Sequence, residues 1–220
     1  MLLSAMARAD TPMLDLIDIP TADVVDHYGA DMSFRSYSNG GVLTKTAFGV
    51  FPRFNVGFGL DAERFIGSQS VQVNRPTLNM KFRAYDGSRS LPSLALGYDG
   101  QGYFFNRATN KYSEREKGLY GAGSGEIFTP GLSLDGGLNI FDFKKDSLHA
   151  FAGLLYMYQE TVGALFEADN LVGRSRDNRF NLGARYCITP GLSVDLAGRD
   201  LWAAGRKAER ILRLSYSTSF

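Results

Sequence analysis

The last nine residues, Leu212-Arg213-Leu214-Ser215-Tyr216-Ser217-Thr218-Ser219-Phe220, alternate strictly between two kinds of side chain. Every second position from Leu212 to Phe220 is apolar, ring-bearing or threonine, and the positions between them are arginine or serine. Because successive side chains of a β-strand point to opposite faces of the sheet, this period of two predicts a strand with one apolar and one polar face. The stretch therefore predicts a C-terminal strand that ends on Phe220.

The same period of two recurs through most of the 220-residue chain, whereas helical periodicity is almost absent. Each run is about ten residues long, the length that a tilted strand needs to cross a bilayer. Strands of soluble sheets are usually shorter, about five or six residues. The alternation predicts about twelve strands, near residues 28–37, 42–51, 54–65, 76–85, 92–103, 117–128, 131–141, 147–158, 161–170, 178–188, 191–200 and 208–220.

The connections between these strands alternate in length. Most even-numbered turns are tight, and two of them share the tripeptide Thr-Pro-Gly, at residues 129–131 and 189–191. Most odd-numbered connections are longer and more polar, with the compact Ser38-Asn39-Gly40-Gly41 turn as the exception. Bacterial outer-membrane barrels have an even number of antiparallel strands, short periplasmic turns and longer outer loops. We therefore predict an all-β fold, a transmembrane antiparallel up-and-down β-barrel of about twelve strands with both termini in the periplasm.

A soluble lipocalin-like barrel would show the same alternation, with its apolar face turned inward. Strand length, turn alternation and the C-terminal strand favour the membrane form. Leu212, Leu214, Tyr216 and Phe220 together resemble the signal that the barrel-assembly machinery of Gram-negative outer membranes reads. This resemblance implies that machinery as a partner during biogenesis, and outer-membrane lipids as the surroundings of the folded chain.

The sequence predicts three parts. Residues 1–9 end on the small-x-small triplet Ala7-Arg8-Ala9 and look like the tail of a signal peptide, with an ordinary disordered N-terminus as the alternative. Residues 10–27 are predicted as an N-terminal periplasmic or lumenal segment. Residues 28–220 are predicted as the outer-membrane barrel.

Composition excludes several classes of protein. No apolar stretch approaches the roughly 18 residues of a spanning helix, and a net charge of +1 gives no reason to expect nucleic-acid binding. The single cysteine, Cys187, cannot form an internal disulfide and has no metal-site spacing around it. We therefore predict no cofactor, no metal and no nucleic-acid partner.

Charged residues on the polar face of each strand are predicted to line the lumen. Facing lipid in the bilayer core, each would cost on the order of 2–4 kcal/mol. The two signs are nearly balanced, which favours ion pairs that fill a narrow lumen over a strongly selective conduction pathway. The predicted lumen-lining charges are Asp31, Arg35, Lys45, Asp61, Glu63, Lys81, Arg83, Asp99, Asp135, Glu167, Asp169, Arg185, Asp195, Arg199 and Arg213.

Three of these acids suggest an alternative role. Glu167 and Asp169 share a strand face, and together with Asp135 they offer the oxygen ligands of a calcium site. Ion pairs with Arg185 and Arg199 inside the lumen are the interpretation that we prefer.

Some outer-membrane barrels are lipid hydrolases that use a His-x-Ser-Asn type of site. Ser38-Asn39 offers the serine and the asparagine, but Ser36 stands where the histidine would be. Without a base to take its hydroxyl proton, the serine is not activated. We therefore predict no catalytic residues and no enzyme activity, and keep a lipid hydrolase as the second alternative.

Five motifs spread over most of the chain carry a likeness to a known group: Ile19-Pro20-Thr21-Ala22, Phe51-Pro52-Arg53, Asn79-Met80-Lys81-Phe82-Arg83, the Pro92 to Tyr98 strand and Lys117-Gly118-Leu119-Tyr120. They resemble the YjbH-type outer-membrane proteins associated with exopolysaccharide operons. These are strand motifs rather than catalytic ones, and the chain is shorter than those members, as a minimal single-barrel form. The resemblance implies envelope or polysaccharide-export proteins as partners.

These patterns predict a non-enzymatic integral outer-membrane protein. It would act as a small porin-like channel or as the membrane-embedded component of an envelope or exopolysaccharide export assembly. A purely structural membrane partner of a larger complex is the first alternative.

Overall fold

The computed structural model of the protein describes residues 12–88, 90–115, 117–141, 143, 148–172, 178–202 and 207–220. The predicted signal-peptide remnant, residues 1–9, lies outside the described residues. Within the described part, no helix is long and apolar enough to cross a membrane.

Fifteen strands are described, and an irregular 3-10 turn at Ser38–Gly40 separates the first two. The strands are β1 (Gly29–Tyr37), β2 (Gly41–Phe51), β3 (Phe54–Glu63), β4 (Gln72–Val73), β5 (Thr77–Tyr85), β6 (Ser93–Asp99), β7 (Gly102–Asn106), β8 (Lys111–Arg115), β9 (Gly118–Glu126), β10 (Leu132–Ile140), β11 (Leu148–Tyr158), β12 (Val162–Asp169), β13 (Arg179–Thr189), β14 (Leu192–Arg199) and β15 (Glu209–Ser219).

Twelve of these strands form the barrel wall, and each runs antiparallel to its neighbours. The first and last strands, β1 and β15, pair from Gly29 opposite Ser219 to Ser36 opposite Leu212, which closes the sheet into a cylinder. The predicted up-and-down barrel of about twelve antiparallel strands is therefore confirmed. The strands outside the wall are β4, which pairs with the end of β3, and β7 and β8, which form a separate hairpin.

The two ends of the barrel differ in the length of their connections. We call the end that carries Gly29 and Phe220 the terminal end, and the opposite one the loop end. The connections at the terminal end are residues 52–53, 86–92, 127–131, 159–161 and 190–191. Those at the loop end are residues 38–40, 64–76, 100–117, 141–147, 170–178 and 200–208. The observed lengths follow the predicted alternation, including the short exception after β1.

One strand ends earlier than the sequence predicts. A continuous strand was expected over residues 92–103, but β6 stops at Asp99. The Asp99 carboxylate accepts a hydrogen bond from the Gln101 backbone N–H at 2.8 Å, and this side-chain turn breaks the strand. The chain then forms the β7–β8 hairpin in a region that the sequence predicted as loop from residue 104.

The outer face of the barrel is apolar. Large hydrophobic side chains at alternate positions of the wall strands are exposed, and the positions between them point into the barrel. This rules out the lipocalin-like arrangement, in which the apolar face lies inside. Exposed outward side chains include Phe34, Phe58, Leu78, Leu96, Leu138, Leu154, Leu182, Leu196 and Leu214.

A glycine makes room for a buried ring between two wall strands. The buried Tyr120 ring of β9 lies over Gly97 of the neighbouring β6 strand. A Cβ on Gly97 would lie 2.3 Å from the Tyr120 ring and 2.8 Å from the Met80 carbonyl oxygen. A Cβ at these distances would clash, so the observed position of the Tyr120 ring requires glycine at position 97.

We expect Gly97→Ala to destabilise the barrel by about 1–3 kcal/mol, because the ring must move in a packed interior. Gly121→Ala is the matched control, since its Cβ would meet its nearest neighbour at an ordinary 3.5 Å. The free energy of unfolding by chemical denaturant in detergent micelles measures both. Equal stability of the two variants would contradict this account of Gly97.

Candidate functional site: the plugged lumen

Residues 12–27 fold inside the barrel, and we call this segment the plug. Leu16 and Ile19 are 0% exposed, and Ile17 is 2% exposed. Such burial is possible only because inward-facing side chains of the wall surround the segment. The lumen is thus filled by the part of the chain that precedes the first strand.

The plug is a hairpin whose two ends lie toward the terminal end of the barrel. Asp15 and Pro20 form an isolated antiparallel bridge between its two legs. Nearer its ends, the Met13 N–H donates to the Asp23 carboxylate at 3.2 Å. Residues 16–19 form the tip, which points toward the loop end.

The tip is bound by a buried carboxylate. Glu167 of β12 is 0% exposed and accepts hydrogen bonds from three consecutive backbone N–H groups, those of Ile17 (2.5 Å), Asp18 (2.8 Å) and Ile19 (3.1 Å). The Asn181 side-chain amide donates to the same carboxylate at 2.8 Å. Consecutive amides that converge on one anion offset its loss of hydration. We call this contact between Glu167 and the tip the Glu167 latch.

Asp18 extends the same tip toward cations of the wall. Its carboxylate accepts a 2.7 Å hydrogen bond from Arg35 of β1, and Arg199 of β14 lies 3.6 Å away. The side chain of Asp18 is fully buried. Buried carboxylates need such partners, because an unpaired one would cost several kcal/mol.

Cationic side chains also bind the legs of the plug. Lys81 donates to the Leu14 carbonyl oxygen at 2.7 Å, and Arg83 donates to the Ala22 carbonyl oxygen at 3.0 Å. Six wall side chains make such contacts with plug carboxylates or carbonyls, and we call them the cationic face: Arg35, Lys45, Lys81, Arg83, Arg199 and Arg213.

The other side of the plug packs against an apolar wall. Leu16 and Ile19 belong to one buried cluster with side chains of β9, β11 and β12. A Cβ on Gly153 of β11 would lie 2.6 Å from the terminal methyl groups of both residues, so glycine is required for this close approach. The wall residues of this cluster include Tyr120, Ala122, Phe151, Leu155 and Leu165.

The charges around the plug keep its first aspartate ionised. Burial alone would raise the pKa of Asp15, but the positive charges of Lys45, Lys81 and two arginines outweigh it and lower the pKa below its ordinary value. The cations beside Asp15 therefore favour its charged form.

Two small cavities lie beside the plug. A cavity of about 50 Å³ lies beside Leu14 and Asp15, and one of about 200 Å³ lies beside Met13 and Thr21 near the terminal end. Both are smaller than the roughly 300–1,000 Å³ of small-molecule pockets.

In the structure, the fifteen charges that were predicted to line the lumen are either half-buried or buried. Asp31, Lys45, Glu63 and Arg83 are half-buried. The buried ones are Arg35, Asp61, Lys81, Asp99, Asp135, Glu167, Asp169, Arg185, Asp195, Arg199 and Arg213.

The three acids considered for a calcium site have separate partners. Glu167 binds the plug, Asp169 pairs with Lys117 at 2.6 Å, and Asp135 accepts from the Ser124 hydroxyl at 2.5 Å. Among the described residues, no group of His, Cys, Asp or Glu is arranged to hold a metal ion.

The two arginines that were expected to pair with those acids bind elsewhere. Arg185 forms a 2.7 Å ion pair with Asp195, its direct cross-strand partner on β14. Arg199 likewise contacts Glu209, its direct partner on β15. Residues opposite each other on adjacent strands are nearest neighbours, so the strand register determines these ion pairs. Knowing which residues face inward is not enough to predict them.

The sequence patterns indicated a periplasmic or lumenal position for residues 10–27 and did not predict how this segment binds the wall. Its tip residues Leu16 and Ile19, its acid Asp18 and the wall amide Asn181 were not predicted as site residues. One sequence signal was present, because residues 12–27 contain four aspartates and no lysine or arginine. An acidic segment before a barrel with many inward cations indicates a lumenal position.

The serine–asparagine pair has no histidine close to it in the described part of the chain. Ser38 follows β1 at the loop end, and its backbone N–H donates to Glu209. His27 precedes β1 at the terminal end and stacks on Tyr28. His149 lies on β11, across the barrel, with its ring 3.1 Å from the Val172 carbonyl oxygen. This arrangement gives no support to a lipid hydrolase.

Comparison with known proteins adds one result on the fold. No protein-family model and no curated protein sequence matches the chain. The KdgM porin is similar in structure, both in complex with disordered oligogalacturonate (14% identity) and alone (13% identity). Each KdgM structure matches with a TM-score of 0.56 and covers 87% of this chain and 99% of KdgM. At this identity the similarity shows a shared porin-like barrel fold.

Proposed function

We propose that this protein is an integral outer-membrane channel whose lumen is held closed by its own plug. The observation that carries the proposal is the Glu167 latch, together with the plug that it holds inside a wall of inward-facing charges. Transmembrane barrels have polar interiors, and in this one a separate segment of the chain fills the interior through hydrogen bonds and ion pairs. A polar lumen closed by a separate, non-covalently held segment fits a channel with a closed state.

The outer surface supports the membrane location. Its apolar face suits lipid, and exposed aromatic rings stand near both ends, where they can bridge acyl chains and headgroups. Short turns at the terminal end support a periplasmic position for both termini. The exposed rings include Tyr28, Phe51, Tyr158 and Tyr186 toward the terminal end, and Phe65, Phe143 and Trp202 toward the loop end.

The partners follow from this location. Outer-membrane lipids would surround the barrel, and the barrel-assembly machinery would insert it by reading the strand that ends on Phe220. The fold shared with KdgM, a porin, supports a channel role. The narrower role in an exopolysaccharide export assembly depends on the YjbH-type strand motifs and stays a prediction, as do envelope partner proteins.

The membrane location predicts a depth-dependent cost for outward charges. Leu214, in the middle of β15, is 41% exposed, and Leu214→Arg should destabilise the barrel by about 2–4 kcal/mol in lipid vesicles. Ile188→Arg, one residue from the end of β13, should cost about 1 kcal/mol or less. Urea unfolding from vesicles measures both. Near-neutral effects at both positions would indicate a water-exposed surface and contradict the proposal.

Loosening the plug should open the channel. Asp18→Pro removes one of the three N–H donors to Glu167 and also the carboxylate that binds Arg35. We expect rare openings from the wild type in planar bilayers and frequent, steady openings from Asp18→Pro. Asp26→Asn is the matched control, because Asp26 belongs to the plug but is exposed, and it should behave as the wild type.

A second variant opens the lumen without introducing a proline, so that a folding defect of Asp18→Pro does not decide the test. The double variant Leu16→Ser, Ile19→Ser removes the apolar anchors at the tip and leaves the wall strands unchanged. If neither variant conducts although both insert into the membrane, the channel proposal is wrong and a purely structural partner role is favoured. If the wild type conducts as freely as the variants, the plug does not close the lumen.

A further inference from the structure

The plug has the chemistry of an anionic ligand. Residues 12–27 carry four aspartates and no lysine or arginine, so the segment contributes −4 to a chain whose net charge is only +1. Three of these aspartates contact cations of the wall: Asp15 with Lys45 at 3.5 Å, Asp18 with Arg35 at 2.7 Å and Asp23 with Arg83 at 3.0 Å. Backbone carbonyl oxygens of the plug add further acceptors.

The cationic face runs along the lumen rather than around one level of it. Arg83 lies two residues before the terminal end of β5, and Lys81 lies two residues deeper. Lys45 and Arg213 stand near the middle of β2 and β15, and Arg199 is the last residue of β14, at the loop end. An extended anion would therefore meet successive cations from one mouth to the other.

Most acids of the wall are bound by wall donors. Asp169 pairs with Lys117, and Asp61 accepts from the Tyr37 hydroxyl at 2.5 Å. Asp195 is shared between Arg185 and Arg213, so two cations stand beside one acid. These contacts do not involve the plug and would remain if the plug were displaced.

Glu167 is the wall carboxylate whose described partners include the plug itself. Glu167 accepts hydrogen bonds from backbone N–H groups of the tip and from the Asn181 side-chain amide. The Asn181 amide would remain as a partner without the plug.

The six cations of the cationic face thus meet the volume that the plug occupies together with Glu167 and with three acids that line the cavities beside the plug, Asp31, Asp99 and Asp135. Asp99 pairs with Lys45 at 2.7 Å, whereas Asp31 and Asp135 accept hydrogen bonds from serine hydroxyls. The cations beside Asp15 also lower the pKa of its carboxyl group.

We propose that the lumen vacated by the plug binds and conducts anionic solutes, and that the plug is an internal acidic mimic that competes with them for the cationic face. The inference rests on the proposed channel function and assigns its substrate class. Carboxylate-bearing solutes fit best, because the plug itself presents carboxylates and carbonyl oxygens to these side chains. The same contacts then close the channel and select what passes when it is open.

The sign of the selectivity tests the inference. In a KCl gradient across a planar bilayer, the reversal potential of the Asp18→Pro channel should show chloride permeability exceeding that of potassium by roughly threefold or more. Adding Lys81→Met should lower this ratio and keep the conductance. Arg210→Met, which removes an exposed charge from β15, is the control and should leave the ratio unchanged.

A soluble competitor tests the ligand class. Glucuronate should reduce the chloride current of the opened channel at concentrations where glucose, a neutral sugar of similar size, has little effect. If the opened channel conducts but prefers potassium, or if Lys81→Met and Arg210→Met act alike, the anion inference is wrong and the channel proposal stands. Equal effects of glucuronate and glucose would also overturn it. If the opened variants do not conduct, the channel proposal itself fails.

Discussion

The buried carboxylate of Glu167 is the constraint on which the interior depends. A charge without access to water must be offset locally, and here three consecutive amides of the plug tip and the Asn181 side chain do so. The contact joins a strand of the wall to the plug, the segment that fills the barrel. Once the tip is fixed there, Asp18 lies within reach of Arg35 and Arg199.

Closure of the barrel wall and filling of its interior depend on different parts of the chain. Pairing of β1 with β15 removes every free edge from the wall and leaves an interior lined by charges. Ion pairs between adjacent strands, such as Arg185 with Asp195, satisfy part of that interior at the wall itself. The plug satisfies the rest, with acidic and carbonyl groups toward one half and Leu16 and Ile19 toward the other.

The fold was largely predictable, because it follows from a period of two that local sequence displays directly. The parity counted back from Phe220 puts Arg213 and Leu214 on opposite faces of the strand, and in the structure Arg213 is 5% exposed and Leu214 is 41% exposed. The early end of β6 was not predictable from alternation, since a single side-chain contact from Asp99 decides it. Partners inside the lumen were harder still, because they depend on register and on a segment without strand periodicity, whose contacts reach 150 residues along the chain from Ile17 to Glu167.

The hairpin shape of the plug has a topological consequence. Both legs lie toward the same mouth, and no part of the segment passes through the barrel to the other side. Within residues 12–27, the plug therefore enters and leaves by the same mouth and does not thread the barrel. Withdrawal of residues 12–27 thus needs no unfolded wall strand, and a pull on the leg at Met13 loads its bonds one after another, from the Asp23 contact inward to the Glu167 latch.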